Sequence, residues 1–272
     1  MSLLLAACGG SEGGAASTPS QPKQYDYERA DSLDHDYLRG LATIRVNIEE
    51  TAQMNEAMRI SGFSFNGGAC NSASRASSYS GSKAQAMNLG VYAADLNYAA
   101  CFEAANEVRT YMDATMGLAD KLGVRAAFDE EIITQIVEGD SATNRSVLLS
   151  EAYLNAEDQL YSEDRAELAT YMIVGGWAEG MWIAADAINS KPGGSDFWKG
   201  LFAHAYTFVK VREMVQMFAD RGSSDFVELG KQLDAAAPAI NKLINTKGER
   251  PTRGTIDEVH AAMKTLRGQI TG

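Results

Sequence analysis

The sequence predicts an all-α fold, a single-domain bundle or irregular helical array of about seven or eight helices. Apolar residues recur at spacings of three and four over most of the chain, as on the buried face of a helix. No segment alternates convincingly between polar and apolar residues, as a half-buried strand would. At 272 residues and 45% hydrophobic content the chain can bury a real core. We therefore expect one helical domain over residues 31–272.

The first thirty residues carry a different pattern. Cys8 follows Leu5-Ala6-Ala7 and precedes a Gly-Gly-Ser run, which resembles the cleavage and lipidation site of bacterial lipoproteins. The resemblance implies that residues 1–7 are the remnant of a lipoprotein signal peptide and that Cys8 carries lipid. Residues 8–30 are mostly Gly, Ser, Ala and Pro after the cysteine and predict a flexible tether. A chance occurrence of this short motif is the alternative.

The net charge bears on which partners the protein can bind, and the cysteines bear on whether it contains a disulfide. The formal net charge is −12, so the clustered basic surface typical of nucleic-acid-binding proteins is not expected. Outside the cytosol Cys70 and Cys101 can oxidise, and the sequence leaves open a disulfide or two free thiols.

Two apolar stretches form the predicted centre of the domain. Residues 83–122 predict one long or kinked helix, and a second helix contains YMIVGGWAEGMWIAAD, residues 171–186. Glycine inside a helix costs about 1 kcal/mol relative to alanine, so Gly175-Gly176 predicts a close helix crossing. We expect the alanine-rich face of residues 93–100 to cross there. Residues 195–220 predict another continuous helix.

Asp95 and Glu179 are each the only acid at an apolar helix centre. A buried carboxyl costs free energy and has a raised pKa, so the pair could serve as a catalytic acid or bind a cation. The alternative is a structural role, with each acid bound by a Tyr, a Trp or a backbone amide. Asp95 and Glu179 are thus candidates only, and no catalytic residue is assigned. The predicted binding residues are Tyr92, Asp95, Tyr98, Gly175, Gly176, Trp177, Glu179 and Trp182.

Residues 61–82 are rich in Gly, Ser and Asn, and so long an irregular stretch is uncommon in a compact domain. It is either a binding element, packed down by Phe63, Phe65 and Tyr79, or a mobile excursion. The three histidines have no metal-ligand spacing, and no nucleotide-binding or hydrolase motif is present. We therefore predict no metal and no cofactor.

The segments LGVYAADLNYAACFE, residues 89–103, and GGWAEGMW, residues 175–182, together with the lipobox, resemble uncharacterised helical lipoproteins of Bacteroidota-type bacteria. Those proteins carry LGVYxADLxY and GGWxEG segments, and the resemblance covers about residues 30–270. It implies a helical body anchored to the outer membrane, periplasmic or surface exposed, and no particular reaction.

The sequence and the resemblance together favour a non-enzymatic lipoprotein. Its helical body would bind a protein partner or small ligand in a groove bounded by the helices of Asp95 and Glu179. The alternatives are an enzyme of unknown class that uses this acid pair and a structural subunit of an outer-membrane complex.

Overall fold

A computed structural model describes residue 40 and residues 51–139, 144–191 and 197–272. These residues contain ten helices and no strand, which confirms the all-α class and gives more helices than the seven or eight predicted. The predicted signal remnant, Cys8 and the tether lie outside the described residues. The helices are α1 (51–60), α2 (Ser82–Cys101), α3 (Ala105–Leu122), α4 (Glu130–Glu138), α5 (Arg145–Ser162), α6 (Ala166–Ser190), α7 (Trp198–Tyr206), α8 (Phe208–Asp220), α9 (Ser224–Ile244) and α10 (Arg253–Thr271).

The predicted helix over residues 83–122 is two helices, because the chain turns between α2 and α3. Glu103 has a φ of 54°, in the left-handed region. Its N–H donates to the Ala100 carbonyl, and the Ala104 N–H donates to the Ala99 carbonyl at 3.0 Å. This is the Schellman ending of a helix, in which glycine usually takes the left-handed position. Because Glu103 takes this position instead of a glycine, the sequence does not indicate that a helix ends here.

The predicted helix over residues 195–220 also divides, at Thr207. The His204 carbonyl accepts the Thr207 hydroxyl at 2.7 Å and the Trp177 indole N–H at 3.3 Å. The Lys210 N–H then donates to the Thr207 carbonyl, three residues back. Side chains that compete for a backbone carbonyl interrupt the regular ladder, so α7 and α8 are separate.

Helices α2 and α6 form the centre of the described fold, and their mutual contact is the most extensive between any two elements. Helix α6 also contacts α5, α7, α8 and α10, and α2 also contacts α3, α5 and α10. Both helices are buried along most of their length, which matches their predominantly apolar sequences. None of the described helices has the length and apolar character required to cross a membrane.

The close approach of α2 and α6 depends on one glycine from each helix. A Cβ added to Gly90 would lie 1.9 Å from the Met172 carbonyl oxygen. A Cβ on Gly175 would lie 1.9 Å from the Met87 carbonyl oxygen. The expected crossing at Gly175 is therefore present, but Gly90 and Met87 supply its other side, not the alanine-rich residues 93–100. Alanine is too large for this backbone-to-backbone approach.

Replacing Gly175 by Ala is expected to destabilise the fold by about 3 kcal/mol, because α2 and α6 must separate to admit the methyl group. Gly117 is the matched control, since it is an exposed glycine inside α3 with no atom within 4 Å of an added Cβ. Gly117→Ala should stabilise the protein by about 1 kcal/mol. Denaturant unfolding measures both changes. A Gly175→Ala protein as stable as wild type would contradict the close crossing.

Candidate functional site

Asp95 and Glu179 lie together just beyond the crossing of α2 and α6, and both side chains are fully buried. Glu179 Oε2 accepts a hydrogen bond from Arg267 Nε of α10 at 2.6 Å. Asp95 Oδ2 accepts one from the backbone N–H of Asn71 at 3.0 Å. The two predicted candidates thus share one site, and the Arg267 guanidinium supplies a cation beside them.

Asp95 and Glu179 influence each other's pKa. Burial raises the pKa of Asp95 well above its ordinary value, and the charge of Glu179 and a hydrogen bond to it raise it further. Burial also raises the pKa of Glu179, while Arg267 and the hydrogen bond from Asp95 lower it. We infer that Asp95 keeps its proton at neutral pH and that Glu179, which accepts from the Arg267 guanidinium, is ionised. In that state the cluster of Asp95, Glu179 and Arg267 has no net charge.

A segment of the chain closes over this cluster, and we call residues 61–81 the covering segment. Phe63 packs on Phe197 and Phe65 on Tyr98, with ring centroids 5.4 and 5.0 Å apart. The segment is therefore packed down, as the first of the two interpretations of this stretch required. Three predicted binding side chains bond to its backbone: Tyr92 donates to the Ser72 carbonyl at 2.8 Å, Tyr98 accepts from the Asn66 N–H at 3.0 Å, and Trp182 donates to the Ala69 carbonyl at 2.7 Å.

Cys70 of the covering segment lies against the acid pair. It is buried and free, and Cys101 is free as well, so the structure shows two thiols and no disulfide between them. Burial raises the pKa of the Cys70 thiol, and the nearby Asp95 carboxyl raises it further. A hydrogen bond with Tyr111 acts in the opposite direction. The thiol consequently stays protonated, which does not favour a nucleophilic cysteine.

Among the described residues, side chains of α10 and the end of α6 bring the cluster towards the surface. The Arg267 side chain is 17% exposed and lies over the Trp182 ring, 5.5 Å from its centroid. His260 and Asp186 form a half-buried pair with 3.1 Å between Nε2 and Oδ1. No solvent path to the carboxyl oxygens themselves is open, because Asp95 and Glu179 have no exposed surface.

A separate cavity lies on another face of the α2 and α6 pair. It encloses about 90 Å³ and opens to solvent at half-buried residues that include Ala94 and Tyr153. Of the predicted binding residues, only Gly176 and Trp177 line it. The cavity lies between the helices of Asp95 and Glu179, but Tyr92, Asp95, Tyr98, Gly175, Glu179 and Trp182 lie outside its wall.

The described part of the cavity wall is uncharged, because no Asp, Glu, Lys or Arg among those residues lines it. His204, which does line it, is neutral because burial lowers its pKa to about 4. Its Nε2 donates to the Trp177 carbonyl at 3.2 Å, which leaves Nδ1 to accept from the Thr51 hydroxyl at 3.2 Å. The rest of the wall is mainly apolar, with Leu, Ile, Phe, Val and Ala side chains.

The sequence interpretation did not identify Arg267, which binds Glu179, or Thr115, which lines the cavity. Arg267 lies four residues after the buried Met263 and three before the buried Ile270. A lone cation on the apolar face of a helix is the pattern that could have indicated a buried acid elsewhere. Thr115 gives no comparable indication, because threonine is ordinary within a helix.

The chain matches no family model, no curated protein and no solved structure. The resemblance to helical envelope lipoproteins therefore stays a prediction. The described residues also contain no group of three or more His, Cys, Asp or Glu side chains placed to hold a metal ion.

The proton held by Asp95 predicts a specific pH dependence of stability. Asp95 has an ordinary pKa of 3.8, and the folded protein raises it. The folded state therefore binds this proton more tightly, and its stability relative to the unfolded state falls as pH rises between the two pKa values. Asp95→Asn keeps a hydrogen-bond donor to Glu179 but has no proton to lose.

Above about pH 4, the free energy of unfolding of wild type should fall relative to that of Asp95→Asn by about 1.4 kcal/mol per pH unit. The difference should stop growing at the pH where Asp95 ionises in the folded state. Denaturant unfolding at a series of pH values measures this difference. Asp234→Asn, at an exposed ion pair with Arg212, is the control and should show no such trend. Parallel curves for wild type and Asp95→Asn would contradict a protonated Asp95.

Proposed function

We propose that this chain is a lipid-anchored cell-envelope protein whose helical body binds a small, mostly apolar ligand in the cavity between α2 and α6. The cavity is the observation that carries the proposal. Small-molecule sites are concave and largely apolar, with few polar groups. This cavity has that composition and is formed by α1–α3 and α5–α8, together with Phe128 and Thr207.

The size of the cavity supports a ligand of about one ring. A volume of about 90 Å³ is far more than the roughly 10–15 Å³ that a water molecule needs. It is smaller than the roughly 150 Å³ apolar cavity that binds benzene. Because the cavity is open on one side, part of a ring-sized ligand would remain at the mouth. Trp177 and Phe128 supply aromatic surface to its wall.

The alternative functions have weaker support. A substrate could reach Asp95 and Glu179 only if the surrounding structure rearranged, because both acids are fully buried. A scaffold or protein-binding subunit would present an exposed apolar patch. The large exposed hydrophobic side chains of the described residues are instead spread over five helices: Ile60, Val147, Tyr206, Val209 and Val227.

The anchor rests on the lipobox pattern at Cys8 and the tether that follows it. Expressed with its native leader in a bacterium that processes lipoproteins, the protein should fractionate with membranes, and Cys8→Ser should release it into the soluble envelope fraction. Cys101→Ser is the control and should leave membrane association unchanged. Membrane association of Cys8→Ser equal to wild type would contradict lipidation.

Filling the cavity should abolish ligand binding. Toluene is a suitable probe because it is apolar and ring-sized. We expect toluene to raise the melting temperature of the wild-type protein and to have no effect on Ala94→Phe, in which the new ring occupies the mouth of the cavity. Ala262→Phe, at a half-buried position of α10 outside the cavity, is the control and should keep the response.

Thermal unfolding with increasing toluene, followed by circular dichroism, measures both variants. An equal response in wild type and Ala94→Phe, or no response in wild type, would contradict binding in this cavity.

A further inference from the structure

The Thr115 hydroxyl is a buried polar group that the protein leaves unused. Thr115 lies within α3, lines the cavity and is fully buried. Its Oγ1 has no hydrogen-bond partner among the described residues. Leaving such a group unpaired costs about 1–3 kcal/mol. Because Thr115 belongs to the cavity wall, its unpartnered hydroxyl is available to a ligand bound there.

The other helical threonines make the orientation of Thr115 unusual. A threonine hydroxyl in a helix commonly donates to the carbonyl four residues earlier. Five threonines of the described helices do so: Thr110, Thr134, Thr170, Thr265 and Thr271. Ser150, which also lines the cavity, donates to the Ser146 carbonyl at 2.8 Å. Of the cavity-lining residues Thr115 and Ser150, only Thr115 has a hydroxyl without a hydrogen-bond partner.

The remaining polar groups on the wall are already engaged or neutral. Asn97 accepts from Asn55 at 3.0 Å, and both ring nitrogens of His204 have partners. Burial raises the pKa of Tyr153, so its hydroxyl stays protonated. A charged ligand would lose its hydration without meeting an opposite charge, which is strongly unfavourable.

We propose, building on the ligand-binding function above, that the ligand is an uncharged, ring-sized molecule with one hydroxyl or carbonyl oxygen, and that the Thr115 hydroxyl binds this oxygen. The apolar wall contacts the ring, and the hydrogen bond to Thr115 orients it. Anions and cations are excluded because the wall offers neither a cation nor a carboxylate among the described residues.

Phenol and toluene test the hydrogen bond, because they have nearly the same shape and differ by a hydroxyl. Calorimetric titration of the full chain should show that Thr115→Val weakens phenol binding by about fivefold and leaves toluene binding unchanged or stronger. Thr110→Val is the control, since Thr110 is exposed on the same helix and should change neither affinity. Benzoate and benzylammonium should bind wild type at least about tenfold more weakly than phenol, because each would be buried as an unpaired charge.

The outcomes separate this proposal from the binding function on which it rests. If none of the four probes binds wild type, the cavity function fails and this inference fails with it. If the probes bind but Thr115→Val changes phenol and toluene affinity equally, or benzoate or benzylammonium binds as tightly as phenol, the inference alone is overturned. The ligand-free protein gives a second readout. Thr115→Val should raise its melting temperature by removing an unpaired buried hydroxyl, and a lower melting temperature would contradict the unpaired state.

Discussion

The burial of Asp95 beside Glu179 is the constraint on which the described structure depends, because two buried carboxylates do not both stay ionised side by side. Once Asp95 holds its proton, a single cation balances Glu179, and Arg267 supplies it. The Asn71 N–H then binds the other Asp95 oxygen. One buried cluster thereby joins α2 and the covering segment that precedes it to α6 and α10, which lie much further along the sequence.

The glycine crossing makes this cluster possible and also gives the protein two different faces. Because Gly90 and Gly175 let the helix backbones meet, the side chains beyond the crossing are forced close together. On one face the covering segment satisfies the polar groups of Tyr92, Tyr98 and Trp182. On another face small residues leave an uncharged cavity open to solvent. The same packing thus closes the acid pair and leaves room for a ligand elsewhere.

Much of this could be predicted from the sequence, and the parts that could not have physical reasons. Helical periodicity indicated the all-α class, and isolated acids in apolar helices suggested the hypothesis that Asp95 and Glu179 share a buried site. The end of α2 was missed because Glu103 takes a left-handed position that usually requires glycine. The binding side chains were predicted as ligand contacts, whereas several bind the chain's own backbone, a long-range pairing that local patterns do not encode.

The protonation state of Asp95 tests the account most directly. Carbon-13 NMR of the folded protein, with the Asp95 carboxyl carbon assigned by its loss in Asp95→Asn, can follow that carboxyl through a pH titration. We predict the chemical shift of a protonated acid at neutral pH and no titration near 3.8, the ordinary value for this side chain. An Asp95 carboxyl that ionises near its ordinary pKa while the protein stays folded would contradict this protonation state.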